Sequence, residues 1–372
     1  MKKVIEILSP GRINVIGEHI DYNGGYVLPG ATDLCIKLTF KESDKEFSEV
    51  YSSVIDKKCE IHLDNLSRSN IQWENYLIGS LISILKRRKV EIKVFSCLIE
   101  GNLPLGSGIS SSSSLICGFV KGIDLLNNLE FSDEELLSIS REVEYDFIGL
   151  RGGVMDQFTI INSKKNNLIL LDTKDNSSKY IHSNFGDYRL LLLNTNIKHD
   201  LSVSSYNDRV RECESALQII NDSGYKLKYL TEIKVQQLLD LKNIMPVTLF
   251  KRALFVVEEN DRVISSVQCL KNLDFKSLGR LMYSSHEGLR NLYQVSCKEL
   301  DFLVESAITY EKILGARMMG GGFGGCTLNL IHKDFIDPFI EDIKEKYFNK
   351  FSLNLIPIVT NLGNGISYKF LK

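Results

Sequence analysis

The chain has 372 residues, which is too long for one ordinary hydrophobic core and fits two domains that share one site. Its composition, with 44% hydrophobic and 25% charged residues, is that of a soluble globular protein. The formal net charge of −2 provides no bulk field toward nucleic acid or an anionic membrane surface, so we expect neither as a partner.

The cysteines and the first residues bear on where the protein works. None of the 8 cysteines forms a C-x-x-C pair, and they lie in apolar segments, which favours buried free thiols and a reducing compartment. The segment MKKVIEILSPGR has no long apolar core and no small-residue cleavage site, so we interpret it as a first strand rather than a signal peptide. No run of about 18 apolar residues occurs that could span a membrane. We therefore expect a cytoplasmic protein.

The first half of the chain alternates predicted strands and helices. Segments rich in β-branched and aromatic residues predict strands at 4–8, 34–40, 49–55, 59–63 and 92–100. Apolar residues at helical spacing predict a helix over 73–88 and another around 115–123. A third helix is predicted from Ser132, where Glu135 completes a capping box, to about residue 147.

The second half is predicted to contain longer helices, at 203–223, 246–270, 275–289 and 297–314. A glycine-rich turn at 320–325 precedes a predicted strand at 326–332, a helix from residue 335 and a strand near 353–359. The polar run KDNSSK interrupts the pattern between residues 172 and 187. We place the domain boundary there, with an N-terminal domain of residues 1–178 and a C-terminal domain of residues 179–372.

The first candidate site is PGRINVIGEHIDYNGGYVLPG, residues 10–30. A strand leads into a tight turn that crowds Glu18, His19 and Asp21 together. Two carboxylates and an imidazole within four residues can exchange hydrogen bonds with the vicinal hydroxyls of a sugar. A metal site or a solvated turn is the alternative for E-H-x-D alone. The complete string, with Arg12 before it and DYNGG after it, is far more specific.

The second candidate site is LPLGSGISSSSSL, residues 103–115, which follows a strand and opens a helix. It is not the G-x-x-x-x-G-K-[ST] loop, because no lysine follows the second glycine. Small residues at a helix N-terminus let backbone amides approach a phosphate, and serine hydroxyls can reach a magnesium ion. A flexible linker is the alternative, but apolar runs flank this segment on both sides. We therefore interpret it as a phosphate-binding loop.

Two further segments are glycine-rich. In GLRGGVMDQF, residues 149–158, Asp156 follows glycines that let a ligand come close, and Glu144 lies in the helix before it. Taken alone, Asp156 would more often cap a helix and Glu144 would be a surface carboxylate. The segment GARMMGGGFGGC, residues 315–326, contains six glycines, whose backbone entropy a plain connector does not explain.

Together these segments resemble the galactokinases of the GHMP kinase superfamily. The three family motifs occur in order from about Pro10 to Cys326, and WENYLIGSL (73–81) and SSYNDRVREC (204–213) are similar to family segments between them. The resemblance implies an α+β fold of two domains, a ribosomal-protein-S5-like N-terminal α/β domain and a ferredoxin-like C-terminal α+β domain, with the active site in the cleft between them. It also implies a monomer that uses galactose, ATP and Mg²⁺.

The resemblance assigns roles residue by residue. Asp156 matches the catalytic aspartate and Arg12 the arginine that stabilises the transition state. Ser112 and Glu144 match the magnesium-binding pair. The positions matching sugar-binding residues are Glu18, His19, Asp21, Gly153 and Tyr206, and those matching the ATP loop are Gly106, Ser107, Gly108, Ile109, Ser110, Ser111 and Ser112. Trp73 and Tyr76 resemble residues near the adenine, but packing of these helix residues on the core is an equal alternative.

Four residues depart from the usual family pattern. Ile20 replaces a threonine, Gly152 a cysteine and Met319 a threonine, and Ser113 replaces an alanine in the ATP loop. Because a serine hydroxyl can hydrogen-bond locally in competition with the helix, we expect Ser113→Ala to keep or slightly raise activity. No departure removes a group that the chemistry requires, so the four bear on sugar preference and efficiency.

The implied reaction is Mg·ATP-dependent phosphorylation of the C1 hydroxyl of galactose. A kinase for a related sugar, such as N-acetylgalactosamine or arabinose, is one alternative, whereas the DYNGG turn disfavours mevalonate. A sensor that binds galactose and ATP without turnover is the other. Retention of Arg12, Glu144 and Asp156 favours the enzyme.

Overall fold

The computed structural model describes residues 3–197 and 202–371, which form three β-sheets and ten α-helices. The strands are β1 (Val4–Asn14), β2 (Tyr26–Val27), β3 (Pro29–Glu42), β4 (Ser48–Ser52), β5 (Lys57–Ile61), β6 (Phe95–Gly101), β7 (Asn167–Asp172), β8 (Ser178–His182), β9 (Tyr188–Asn194), β10 (Ile313–Met319), β11 (Cys326–His332), β12 (Ile356–Thr360) and β13 (Ser367–Leu371). The helices are α1 (Gln72–Arg87), α2 (Ser111–Asn127), α3 (Asp133–Glu142), α4 (Met155–Asn162), α5 (Ser202–Asp222), α6 (Val235–Asp240), α7 (Val247–Lys271), α8 (Phe275–Gly288), α9 (Lys298–Ala307) and α10 (Ile336–Phe351).

The largest sheet has the strand order β13-β1-β3-β6-β4-β5 and is antiparallel except between β4 and β6. Helix α2 packs on β1 and β3 and places its apolar residues in the main core. A β-bulge shifts the β1–β3 register between Pro10 and Arg12. Bulges re-aim side chains, and this one lies where β1 delivers Arg12 to the cleft described below.

The second sheet has the order β10-β11-β9-β12 and is antiparallel. Side chains alternate across a strand, so the two faces of β9 serve two clusters. Leu191 and Leu193 pack with α9 and α10 in a separate cluster, whereas Leu190 and Leu192 join the main core. The third sheet is small and has the order β2-β7-β8, and its strand β2 directly follows the turn of the first motif.

Most of the predicted elements are present. The predicted strands of the first half overlap β1, β3, β4, β5 and β6. The capping box is confirmed, because the Ser132 hydroxyl accepts from the Glu135 amide and the Glu135 carboxylate accepts from the Ser132 amide. The helix that it starts ends at Glu142 and continues as a π-helical turn, Val143–Ile148.

The predicted helix at 297–314 is wrong in its last part. Helix α9 ends at Ala307, and strand β10 begins at Ile313. The cause is a tertiary contact, since β10 lies so close to α8 that a Cβ on Gly315 would be 2.5 Å from the Cα of Gly279. Local apolar spacing does not register such a contact. The strands from β7 to β9 and the last strand, β13, were not predicted either.

The run KDNSSK forms the turn between β7 and β8, so the predicted boundary after residue 178 lies at the first residue of a paired strand. Strand β13, at the end of the chain, returns to the first sheet and pairs with β1. A division at residue 178 therefore stays a prediction, with β13 belonging to the N-terminal sheet. Within the described ranges, every helix is too short or too polar to cross a membrane.

Candidate active site

The motifs meet in one cleft of about 520 Å³. Most of the residues predicted for the site line it: Arg12, Glu18, His19, Asp21, Tyr76, Gly106, Gly108, Ser110, Ser111, Ser112, Glu144, Gly153, Asp156 and Tyr206. The glycine-rich loop at 320–325 closes one side. Segments separated by up to about three hundred residues thus face one volume, as a shared binding site requires.

Arg12 and Asp156 form a bidentate ion pair in the cleft. Arg12 Nε lies 2.7 Å from Asp156 Oδ1 and Nη2 lies 3.1 Å from Oδ2, while Nη1 donates to the Gly108 carbonyl at 2.6 Å. Burial alone would lower the pKa of Arg12, but Asp156 and Glu18 outweigh it and raise the pKa. The Ser110 hydroxyl also donates to Asp156 Oδ2. Asp156 keeps 26% of its side-chain surface exposed, so a ligand in the cleft can reach it.

The predicted ATP loop is an irregular segment that ends where α2 begins. Ser110 precedes the helix with φ of 58°, and the Ser114 amide is bonded to the Ser110 carbonyl. The backbone amides that precede Ser114 at the start of α2 have no hydrogen-bond partner within the helix. Gly106 has φ of 66° and open space where a side chain would start, whereas a Cβ on Gly108 would face the Met319 carbonyl at 3.2 Å. Both glycines line the cleft, but only Gly106 has open space at the position of a Cβ.

Ser107 and Ile109 do not line the cleft. They are 1% and 0% exposed, and Ser107 Oγ donates to the Pro104 carbonyl at 2.8 Å. These two residues shape the loop from beneath. Trp73 is also absent from the lining and packs on the core, whereas Tyr76 and its neighbour Gln72 line the cleft.

Glu144 presents a buried carboxylate to the cleft. Ser113 Oγ donates to its Oε1 at 2.6 Å, and Gln157 Nε2 donates to its Oε2 at 2.7 Å. Burial raises the pKa of Glu144 to about 7, the Ser113 hydrogen bond opposes this rise, and Asp156 adds to it. The hydrogen bond that we expected the Ser113 hydroxyl to form is therefore made with the Glu144 carboxylate.

The donor set at Glu144 fits Mg²⁺. One carboxylate, together with the half-buried Ser112 hydroxyl and phosphate oxygens of a nucleotide, is the way Mg²⁺ is usually held. Among the described residues, no group of three or more acidic, histidine or cysteine side chains is arranged so that it could hold a metal ion. A cation would also offset the burial that raises the pKa of Glu144.

Glu18 and Asp21 lie on the other side of the cleft. Glu18 Oε1 accepts from the Gly320 amide at 2.9 Å and lies 3.2 Å from Arg317 Nη2. A Cβ on Gly153 would lie 2.1 Å from Asp21 Oδ2, so Gly153 makes room for that carboxylate. Burial, with a further contribution from Asp156, raises the pKa of Asp21 to about 6.

His19 has positive φ, 62°, and both ring nitrogens are already bonded within the protein. Tyr206 lies over it, with ring centroids 5.0 Å apart. Burial, with smaller contributions from Arg209 and Arg317, lowers the pKa of His19 to about 3 against the opposing hydrogen bond to Gly321. The ring is therefore neutral at ordinary pH.

Sequence reasoning missed two residues of the site. Arg317 is fully buried beside Glu18, and Gln157 donates to Glu144. An arginine inside the apolar run GARMM was a usable signal, since a buried arginine is almost always paired. Ser110 was predicted as part of the ATP loop, but its hydrogen bond to Asp156 was not.

Comparison with known proteins places the chain in a family. Residues 4–39 match the galactokinase galactose-binding signature, residues 75–164 the GHMP kinases N terminal domain, and residues 266–349 the GHMP kinases C terminal family. Galactokinase of Thermotoga neapolitana is 40% identical over 352 residues, covering 94% of this chain and 96% of the relative. Galactokinase of Thermotoga maritima is 38% identical, covering 95% and 96%.

The solved structures agree. The crystal structure of Lactococcus lactis galactokinase complexed with galactose superposes with a TM-score of 0.93 at 32% identity, covering 98% of this chain and 95% of that one. A mevalonate kinase shares the fold, with a TM-score of 0.65 at 20% identity. The chain belongs to the galactokinases of the GHMP kinase superfamily and has their two-domain α+β fold.

Proposed function

We propose that the protein transfers the γ-phosphoryl group of ATP to the C1 hydroxyl of galactose. The observation that carries this proposal is the Arg12–Asp156 pair. It is hydrogen-bonded to the phosphate-binding loop at Gly108 and Ser110, and Asp156 is close enough to Asp21 to raise the pKa of that carboxyl. Family membership supports the sugar and the nucleotide. Phosphoryl transfer depends on positioning and charge neutralisation, and both are built into this arrangement.

In the reaction, the C1 oxygen forms a bond to the γ-phosphorus while the bond from that phosphorus to the β–γ bridging oxygen breaks and ADP leaves. Asp156 accepts the hydroxyl proton, which passes to solvent after product release. Arg12 holds Asp156 bidentately and so fixes its orientation. Because Arg12 also donates to the Gly108 carbonyl, the base and the phosphate-binding loop are held together.

Glu144 and the Ser112 hydroxyl would hold Mg²⁺, which supplies positive charge to the phosphates when bound. The amides at the start of α2 would bind phosphate oxygens. Glu18 and Asp21 would accept hydrogen bonds from sugar hydroxyls, and Tyr206 would form the facing wall. We further propose a cytoplasmic monomer, in keeping with eight free cysteine thiols.

A coupled assay of ADP release over several sugars tests the proposal. Galactose and glucose differ only in the orientation of one hydroxyl, and a site built to bond that hydroxyl discriminates by up to about 10⁴-fold. We expect galactose to be far the better substrate by kcat/KM, with ³¹P NMR identifying the 1-phosphate. N-acetylgalactosamine and arabinose complete the panel. Phosphorylation of another of these sugars but not of galactose would overturn the assignment.

A further inference from the structure

Behind the sugar side of the cleft, four side chains form an unbroken row of hydrogen bonds. Cys213 Sγ lies 3.1 Å from the Tyr293 hydroxyl, which lies 2.7 Å from the Tyr22 hydroxyl. The Tyr22 hydroxyl lies 2.8 Å from His19 Nδ1, and His19 Nε2 lies 3.2 Å from the Gly321 carbonyl oxygen. The row, which we name the histidine relay, links α5, the π-helical turn Leu289–Tyr293, the first motif and the glycine-rich loop.

The carbonyl at the end of the relay fixes the direction of every bond in it. A carbonyl oxygen only accepts, so His19 Nε2 must carry the hydrogen and donate to Gly321. In a neutral ring Nδ1 is then bare and accepts from the Tyr22 hydroxyl. Having donated its hydrogen, Tyr22 accepts from Tyr293, which in turn accepts from the Cys213 thiol.

The relay acts on the part of the cleft that faces the sugar. Gly321 belongs to the loop that lines the cleft, and the neighbouring Gly320 amide donates to Glu18 at 2.9 Å. Tyr206 contacts both His19 and the glycine-rich loop. Its ring lies over His19, and a Cβ on Gly321 would be 3.2 Å from its Cδ2. Holding Gly321 therefore holds the amide that orients Glu18 and the loop against which Tyr206 rests.

On the basis of the sugar-kinase function proposed above, we propose that His19 acts through this relay as a positioning residue, with Tyr22 and Tyr293 as further positioning residues for sugar binding. The His19 ring thus has no free nitrogen for the sugar. Its role is to tie the glycine-rich loop to the first motif. The phosphate-binding loop lies outside the relay, so loss of a relay bond affects the sugar far more than ATP.

Three variants, Tyr22→Phe, Tyr293→Phe and Cys213→Ala, test the proposal by the order of their effects on KM for galactose. Tyr22→Phe removes the hydroxyl that donates to Nδ1 and should raise KM for galactose about fivefold or more, the equivalent of one hydrogen bond. Tyr293→Phe should have a smaller effect, and Cys213→Ala the smallest. The loss of stability should instead be larger in Tyr293→Phe and Cys213→Ala than in Tyr22→Phe, because Tyr293 and Cys213 are 0% and 2% exposed whereas Tyr22 is half-buried. KM for ATP should change less than twofold in each.

Tyr283→Phe is the matched control, since its buried hydroxyl has no hydrogen-bond partner within the described residues. It should leave KM for galactose unchanged. Changes in KM for galactose that instead follow the loss of stability would show a merely structural role and overturn the proposal, as would an unchanged KM for galactose in folded Tyr22→Phe.

The tautomer of His19 gives a second readout that needs no substrate. Nitrogen-15 NMR of the histidine side chains, with the His19 signals assigned by their loss in His19→Gln, should show the Nε2–H form in the wild type. Tyr22→Phe should keep the Nε2–H form, because the Gly321 carbonyl still accepts from it, but should shift the Nδ1 signal, because that nitrogen loses the Tyr22 hydroxyl. An Nδ1–H form in the wild type would overturn the relay. Since this measurement is made without sugar or ATP, it stands even if the wild type phosphorylates no sugar and the proposed function fails.

Discussion

Ser113→Ala tests how the carboxylate of Glu144 is held. The Ser113 hydroxyl is 1% exposed and donates to Glu144 Oε1 at 2.6 Å, a contact that reverses the expectation of neutral or improved activity drawn from the sequence. A hydrogen bond to a charged group contributes about 1.5–3 kcal/mol, equivalent to roughly 10- to 100-fold in affinity. Partners that orient a metal ligand have effects of about the same size.

We expect the lower end of that range, about 10-fold weaker Mg²⁺ binding, because Gln157 still holds Oε2 at 2.7 Å. The effect should grow as the pH falls toward 7, because the lost hydrogen bond was holding the pKa of Glu144 down and a higher pKa lets protons compete more strongly. The alanine should leave kcat at saturating Mg²⁺ nearly unchanged, since the buried Ser113 hydroxyl is not part of the cleft lining.

The assay is the initial rate at saturating ATP and galactose as free Mg²⁺ is varied, with Mn²⁺ binding followed independently by electron paramagnetic resonance. Ser114→Ala is the control, because Ser114 is 0% exposed in the same helix but donates to the Ser9 carbonyl at 2.8 Å. It should leave metal binding unaltered. Equal metal affinity in both variants and the wild type would refute the reasoning.

Three other changes probe the rest of the cleft. Gly106→Ala should raise KM for ATP, whereas Gly224→Ala, also at positive φ with open space around it but outside the cleft lining, should only lower stability, as calorimetry and kinetics can show. Arg317→Met should destabilise the protein by about 3–5 kcal/mol in urea unfolding, since Glu18 stays buried without its cation. Because the pKa of Glu144 is raised to about 7, the concentration of free Mg²⁺ needed for the half-maximal rate should fall as the pH rises from about 6 to 8. This concentration is corrected for the ionisation of ATP. A value that does not change with pH would contradict the role given to Glu144.

Local sequence carried the parts of the fold that depend on local physics. The capping box at Ser132 and the helix predicted around residues 115–123 follow from short-range rules, and both are present, although α2 already begins at Ser111. The helix predicted through residue 314 failed because β10 is set by its contact with α8, which brings Gly315 against Gly279. The pairing of β13 with β1 joins opposite ends of the chain and has no local signature.

The site divides in the same way. The family resemblance, rather than the local pattern, assigned Glu144 and Asp156 to the site, and both line the cleft. Their partners could not be predicted, since Ser113 reaches Glu144 across 31 residues and Arg12 reaches Asp156 across 144. His19 looked from the sequence like a sugar ligand. Only the structure shows that its ring nitrogens are already bonded within the protein.

The rate of sugar 1-phosphate formation by Asp156→Asn tests the central claim most directly. Asparagine has nearly the same shape but cannot accept the proton, so kcat at saturating galactose and Mg·ATP should fall by at least about 10²-fold. ATP affinity, measured by calorimetry, should change little, because the phosphates would be held by the amides at the start of α2 rather than by the Asp156 carboxylate, and circular dichroism should show an intact fold. A folded Asp156→Asn protein that keeps more than about a tenth of the wild-type kcat would contradict the assignment of Asp156 as the base.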